Sequence, residues 1–321
     1  MSRTVAAILA ALMTALSFSA LAQQKMTLRL DWKPGGQHTP FYYAKDKGYY
    51  AQEGLEVQII SGSGSSDSVK QLGTRSVDVA IVDALVLVQA AEQRVPVRAV
   101  AVYYQRTPIV MISPKARPVT SVQQLTGDVK VGAPKASAVY QGLVAMLAAN
   151  NLKPEQIKTV DIGFGVQPLL AKQVDALMGF SNVQPIELEN AGVPVHEVSI
   201  ADHGVPAYGL TIASNDDYIA KQPNALAGFL RATKRAVQEV SVSREAGVQA
   251  VSKAAAEIDA KRELKALERT VPLWAAKGAD VGGFGAQSEQ GWQQTIDVAK
   301  RVGLIEKGPA AASVFNASFL K

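Results

Sequence analysis

The sequence predicts an α/β fold in two lobes, on three observations. Short apolar runs alternate with amphipathic helical stretches from Met26 to about Ser214. After Asp216 the apolar residues recur only at helical spacing. Two turn-rich segments, Tyr103-Tyr104-Gln105-Arg106-Thr107-Pro108 and Gly204-Val205-Pro206-Ala207-Tyr208-Gly209, bracket a second round of strand–helix alternation. Alternation of this kind implies a mainly parallel sheet with helices on its faces. A chain of 321 residues, 48% hydrophobic, has enough apolar material for two cores.

Taken in order, residues 1–22 stand apart. Arg3 gives a positive start, Val5 to Leu16 is almost entirely small and apolar, and Ala20-Leu21-Ala22 fits an A-x-A cleavage site. This reads as an export signal removed before Gln23, since the apolar run is shorter than the roughly 20 residues a membrane span needs. The expected strands are Leu28–Leu30, Val57–Ile60, Val77–Val82, Val97–Val102, Ile109–Ile112, Val129–Gly132, Thr159–Ile162, Ala176–Gly179, Val195–Val198 and Leu210–Ala213. That is too many for one small lobe. With the turn-rich segments as crossings, lobe one is expected at 23–106 plus 210–321, around an inserted lobe at 107–209. Two crossings suit a closing cleft. The last third is expected to be helical at 224–241, 244–258, 260–271 and 288–302, with Leu226, Phe229, Leu230, Val237 and Val240 on one buried face.

Charge and composition exclude several classes of function. The formal charge is +5, or +4 without Arg3, and the bases alternate with acids, as in Lys261-Arg262-Glu263-Leu264-Lys265. Such a run reads as a solvated helix face, not a nucleic-acid footprint. With no cysteine there is neither a disulfide nor a thiolate nucleophile. The three histidines, at 38, 196 and 203, lack metal-ligand spacing, and no H-E-x-x-H, G-x-S-x-G or G-x-x-x-x-G-K-[ST] motif is present. No cofactor or metal is expected.

The strand ends carry the candidate site, because ligands of open α/β sheets bind outside the carboxyl ends of the strands. After Leu30 comes Asp31-Trp32-Lys33-Pro34, and Thr39-Pro40 then supplies an N-cap and an early helical proline. Phe41, Tyr42 and Tyr43 fill the first turn of that helix, and at least one of these rings is expected to face Trp32. Trp32 offers a flat ring whose stacking on a heteroaromatic ligand contributes about 0.5–1.5 kcal/mol beyond area burial; alternatively it closes the core. Asp31 could accept from an amino group or cap its own loop. His38 could donate to a ring nitrogen or cap the helix. Gly62-Ser63-Gly64-Ser65-Ser66-Asp67 opens another helix, where amides and hydroxyls can hold an anion or a polar edge. It is not a dinucleotide fingerprint, since its sixth position is Asp67. Asp83 ends a strand and either faces the cleft or caps the helix 84–92.

In the inserted lobe, Gly132-Ala133-Pro134-Lys135-Ala136-Ser137 joins a strand to a helix in the same way, and Phe180-Ser181-Asn182-Val183-Gln184 follows a further strand. Asn182 and Gln184 each offer both a donor and an acceptor. Tyr104 and Tyr208 sit near the crossings, suited equally to hinge packing and to ligand contact.

The run Leu30-Asp31-Trp32-Lys33-Pro34, His38-Thr39-Pro40-Phe41-Tyr42-Tyr43-Ala44, Gly48-Tyr49-Tyr50, Glu53-Gly54-Leu55-Glu56-Val57 and Val77-Asp78-Val79-Ala80-Ile81 resembles the periplasmic solute-binding proteins of ABC importers. Within these it is most similar to the branch related to thiamine-pyrimidine-precursor binding, a neighbour of the sulfonate, nitrate and riboflavin binders. The resemblance continues through Phe229-Leu230-Arg231-Ala232-Thr233 and Trp292 to Gly303-Leu304-Ile305. It implies a type II periplasmic-binding fold, a monomer that closes on a small solute, and delivery to a membrane permease energised by a separate ATPase. It also implies ligand contact for Trp32 and for the loop holding Ala136 and Ser137. A carboxylate at position 184 would suit an aminopyrimidine; the neutral Gln184 leaves riboflavin-like, cytosine-like and other aromatic solutes open. Two rival readings are an exported pyrimidine-forming enzyme, since a related branch makes the thiamine pyrimidine, and the binding subunit of a sensor.

Overall fold

Among the described residues ten strands, β1 (Gln24–Arg29), β2 (Leu55–Ile60), β3 (Val79–Asp83), β4 (Val97–Val102), β5 (Ile109–Pro114), β6 (Lys130–Ala133), β7 (Lys158–Asp161), β8 (Ala176–Phe180), β9 (Val195–Ser199) and β10 (Leu210–Asn215), form two five-stranded sheets of one design. The structure is a computed structural model that describes residues 23–135, 137–163, 165–276 and 280–320. The expected export signal and Ala136 lie outside the described residues. Every expected strand is present, with ends displaced by a few residues.

Sheet one runs β2-β1-β3-β10-β4 and sheet two runs β7-β6-β8-β5-β9. In sheet one β1 is parallel to β2 and β3, and β10 is antiparallel to both its neighbours. Sheet two repeats this with β6 parallel to β7 and β8, and β5 antiparallel to β8 and β9. The reversed strand of each sheet is the one that a crossing delivers from the other sheet. The crossings also pair with each other: the Gly209 amide donates to the Tyr104 carbonyl and the Tyr104 amide to the Leu210 carbonyl.

The longer helices are α1 (Thr39–Asp46), α2 (Ser65–Gly73), α3 (Ala84–Glu92), α4 (Ala138–Ala149), α5 (Gln184–Asn190), α6 (Pro223–Val242), α7 (Arg244–Ala254), α8 (Ala260–Thr270) and α9 (Glu289–Arg301). Because side chains alternate across a strand, β3 sends Val79 and Ile81 into one core with Phe41, Phe229 and Val237. It sends Ala80 and Val82 into another with Leu72, Leu87 and Ile296. Sheet two does the same, with Met111 on one side and Val110 and Ile112 on the other. The predicted apolar face of α6, Leu226 to Val240, is buried.

Three local expectations need correction. A short turn at Gly36–His38 runs directly into α1, so His38, not Thr39, occupies the N-cap position, and the buried Thr39 hydroxyl has no partner. The aromatic residues of α1 lie in the core, and among the described residues none makes a ring contact with Trp32. Phe41 packs between Tyr103 and Phe229, Tyr43 against Tyr49, and Tyr42 is buried beside Glu257 in the helical side of the core. The charged run of α8 is solvated at Lys261 and Lys265 but not at Glu263, which is 4% exposed and accepts from the Gly36 amide at 2.5 Å.

Candidate functional site

The carboxyl ends of β1, β2 and β3 meet at one edge of sheet one, and backbone bonds lock their loops together. The Gly62 amide donates to the Trp32 carbonyl at 3.0 Å and the Gly64 amide to the Asp31 carbonyl at 2.8 Å. Glycine is needed here: a Cβ at Gly62 would lie 1.9 Å from the Leu30 carbonyl oxygen, and Gly64 has φ +114°. The Asp83 amide donates to Ser65 Oγ at 2.9 Å, tying the third strand end to the second. Asp31, Trp32, Gly62, Ser63, Gly64, Ser65 and Asp83 therefore form one polar rim.

Within it Trp32 is 55% exposed, an unusual state for so large an apolar ring and one that excludes the core alternative. Asp31 is held by His38, whose Nε2 lies 2.8 Å from Asp31 Oδ1. The His38 ring is fully buried, so it orients Asp31 from beneath and does not itself face a solute; its Nδ1 has no partner. Asp83 caps α3 through the Leu85 amide at 2.9 Å. Burial, opposed by that backbone bond and reinforced by the nearby Asp31 charge, raises its carboxyl to about 6. Ser63 and Arg29 both engage Asp67, and chiefly the Ser63 hydrogen bond holds Asp67 below the usual carboxylate range. The start of α2 thus already carries its own anion.

Sheet two supplies the facing loops. Ser137 caps α4, accepting from the Tyr140 amide at 3.3 Å and donating to the Pro134 carbonyl at 2.6 Å, so its hydroxyl is committed locally. Gln184 is folded under its own loop, its Oε1 accepting from the Phe180 amide at 2.7 Å. Asn182 alone of the two amides reaches across, donating to Thr270 Oγ1 of α8 at 3.0 Å. Tyr208 belongs to neither rim. It packs edge-on against Trp292, and its hydroxyl accepts from the Ser288 amide at 3.2 Å, which makes it hinge packing against α9.

Sequence patterning missed how α8 bridges the two halves. At one end Glu263 grips the Gly35–His38 loop; at the other Arg269 donates to Glu197 at 2.6 Å, to Glu189 at 2.8 Å and to the Ser181 carbonyl at 3.2 Å. Lys265 adds a bond to Asn190 at 2.9 Å. The only visible signal was opposite charge, basic on α8 and acidic at 187, 189 and 197. Two surface concavities lie elsewhere. One, of about 950 Å³, runs between Arg94–Arg98 and Gly303–Pro309, and another, of about 480 Å³, flanks the first crossing beside Arg106 and Arg269. The first wraps Glu92, whose carboxylate is already saturated by the amides of Glu306, Lys307 and Gly308. The second is lined by the Arg269–Glu197 pair just described and by Arg106, which pairs with Asp202 at 3.0 Å.

The chain is similar to several known proteins. The riboflavin-binding protein RibY of Chloroflexus aurantiacus is 26% identical over 306 residues, 92% of this chain and 86% of that one. A formylaminopyrimidine-binding protein of Halalkalibacterium halodurans is 24% identical over 300 residues, covering 92% and 90%. A 4-amino-5-hydroxymethyl-2-methylpyrimidine phosphate synthase of Legionella pneumophila is 25% identical over 259 residues, covering 79% and 81%. The crystal structure of the periplasmic aliphatic sulphonate binding protein SsuA from Escherichia coli superposes with a TM-score of 0.73 at 14% identity, covering 91% of this chain and 92% of that one. The fold is thus that of the periplasmic binding proteins. Residues 36–243, more than half of the sequence, match the family described as NMT1/THI5 like, and the chain belongs to that family.

Proposed function

We propose that this protein is the solute-binding subunit of an ABC importer, and that it captures a small, flat, heteroaromatic solute between the two sheets. The lobes are 23–106 with 210–321, and 107–209. The observation that carries this reading is the exposed Trp32 ring on a rim that also presents Asp31 and Asp83 and faces the Asn182 loop. A flat ring beside carboxylates favours a ring system with hydrogen-bond donors and disfavours sulfonate or nitrate, which the like charge of the rim repels. The two binding relatives, one named for riboflavin and one for a formylaminopyrimidine, support the same chemistry.

The partners are then a permease and its ATPase outside this chain. The site of action is the periplasm, with residues 1–22 removed on export and the mature protein monomeric. A binder is favoured over the synthase reading because the one histidine near the rim is wholly buried and already bonded to Asp31, leaving no imidazole facing a substrate.

A thermal-shift titration tests the proposal. Ligand at a hundred times Kd stabilises by about 2.7 kcal/mol, which raises Tm by roughly 4 °C for a chain of this size. Riboflavin or a formylaminopyrimidine should give a dose-dependent rise, while ethanesulfonate and nitrate should not. A rise with the anions alone, or with none of the four, contradicts the reading.

A further inference from the structure

The two sheets repeat one another down to single hydrogen bonds. In sheet one the Asp78 carboxylate accepts from the Thr27 amide at 2.8 Å, and the Asp78 amide donates back to the Thr27 carbonyl at 3.2 Å. In sheet two Asp175 and Lys130 make the same exchange at 3.0 and 2.9 Å. Register agrees as well, with Leu28 beside Val79 and Val131 beside Ala176. At the carboxyl ends of the two central strands, Asp83 of β3 pairs with Leu210 and Phe180 of β8 pairs with Ile109, each partner being the first residue beyond a crossing. The next amides, of Ala84 and Ser181, both donate at 2.9 Å to a crossing carbonyl, that of Gly209 and that of Pro108. Those two crossing residues lie side by side: a Cβ on Gly209 would be 3.3 Å from Pro108 Cδ. Asp83 and Phe180 are therefore matched positions on either side of the paired crossings, one from each lobe.

The chemistry at the matched positions differs. Lobe one spends its side chain on a helix cap, Asp83 Oδ1 accepting from the Leu85 amide at 2.9 Å. Lobe two uses Gln184 to hold the Phe180 amide at 2.7 Å, which leaves the Phe180 ring free of any such duty. That ring is half-buried, resting on the core that contains Met178 and Leu143. The two residues after it reach lobe one: the Ser181 carbonyl accepts from Arg269 at 3.2 Å and Asn182 donates to Thr270 at 3.0 Å, both on α8. The end of β8 thus faces the other lobe. The side chains of Ser137, Gln184 and Asn182 all bond within the protein, so the polar groups of this rim are already engaged.

A solute moves the lobes only through contacts that differ between the open and closed forms. We propose that the Phe180 ring is the principal solute contact of lobe two and the residue through which binding drives closure. Lobe one then reads the polar edge of the guest, and lobe two covers an apolar face. The chemical class is a rigid, flat ring system with hydrogen-bond donors confined to one edge. The inference rests on the binding function proposed above and adds to it the contact that couples binding to closure.

The test compares wild type, Phe180→Leu and Phe180→Tyr in ligand-free thermal melts, in calorimetric titrations with riboflavin and with a formylaminopyrimidine, and in small-angle scattering at saturation. Phe180→Leu keeps an apolar side chain on the core but loses the flat face, so affinity should fall about five- to ten-fold and the saturated protein should be less compact than wild type. Phe180→Tyr keeps the ring and should bind and close as wild type does. If Phe180→Leu does not fold, Phe180→Met replaces it with the same expectation. A probe that binds wild type and the leucine or methionine variant equally overturns the inference and leaves the binding function intact. A lower ligand-free Tm with unchanged affinity gives Phe180 a purely structural role and overturns it too. Absence of binding of both probes by wild type refutes the proposed function and this inference with it.

Discussion

Replacing Gly36 by Ala pushes a methyl group into the backbone of α8. Its Cβ would lie 2.2 Å from the Glu263 carbonyl oxygen, 2.9 Å from the Leu267 nitrogen and 3.1 Å from the Ala266 Cβ. None of these atoms belongs to a flexible side chain, so the loop and helix must separate by about an ångström. Overpacking of that kind costs about 1–3 kcal/mol. Separation also breaks the bond from the Gly36 amide to Glu263, a carboxylate 5% exposed, for roughly another 1.5–3 kcal/mol. The sum, about 2.5–6 kcal/mol, lowers Tm by roughly 4–10 °C at this chain length. Calorimetric melting of Gly36→Ala beside Gly48→Ala isolates the effect. Gly48 has φ +71° and nothing within 4 Å of a Cβ, so its variant carries conformational strain alone. Because the Gly36 loop also carries Asp31 and His38, solute affinity should fall with Tm. A Gly36→Ala protein that melts with wild type would show that α8 does not grip the loop, and the bridge described here would be wrong.

Three further outcomes are expected. Trp32→Ala should cost about 1–3 kcal/mol of solute affinity and leave Tm nearly unchanged, since the ring is 55% exposed in the free protein; a large Tm loss in circular dichroism melts would make it a core residue after all. Asp83 titrates near 6 in the folded state against 3.8 ordinarily, so the native protein binds this proton more tightly than the unfolded chain and the group's contribution to stability falls as pH rises from about 4 to about 6. Asp83→Asn should then be more stable than wild type at pH 7, by about 3 kcal/mol, with the advantage fading toward pH 4; an advantage that grows on acidification reverses the assignment. Arg269→Ala removes a guanidinium held by two carboxylates and a carbonyl across the lobes, so the balance should move toward the open form by about 1–2 kcal/mol, less at high salt; identical interdomain distances by fluorescence energy transfer in both proteins, with and without solute, would deny the latch.

Element types were legible because strand and helix periods differ: alternation in Leu55–Ile59 and the 3.6-residue spacing from Leu226 to Val240 each admit one reading. The strand-end loops 31–34 and 62–65 were legible for the same reason, since the end of an apolar run marks where a sheet presents its loops. Pairing order was not, because nothing in β5 or β10 alone says that each will be inserted reversed into the opposite sheet. Side-chain direction within a turn was equally hidden. The Phe41-Tyr42-Tyr43 run announces an aromatic helix start, yet a preceding turn at Gly36–His38 shifts the cap by one residue and rotates the rings into the core. Glu263 read as solvated because its partner, the Gly36 amide, lies 227 residues away in the chain. Gln184 and Ser137 show the same limit from the other side: polar residues at strand ends look free in sequence, and both spend their hydrogen bonds on their own loops.

The central claim is that two lobes shut on a flat heterocyclic solute, and small-angle scattering of the full mature chain during a riboflavin or formylaminopyrimidine titration tests it most directly. Closure gives a single saturable decrease in the radius of gyration that follows the fraction of protein bound. Saturation of the site with no change in the scattering profile would contradict it.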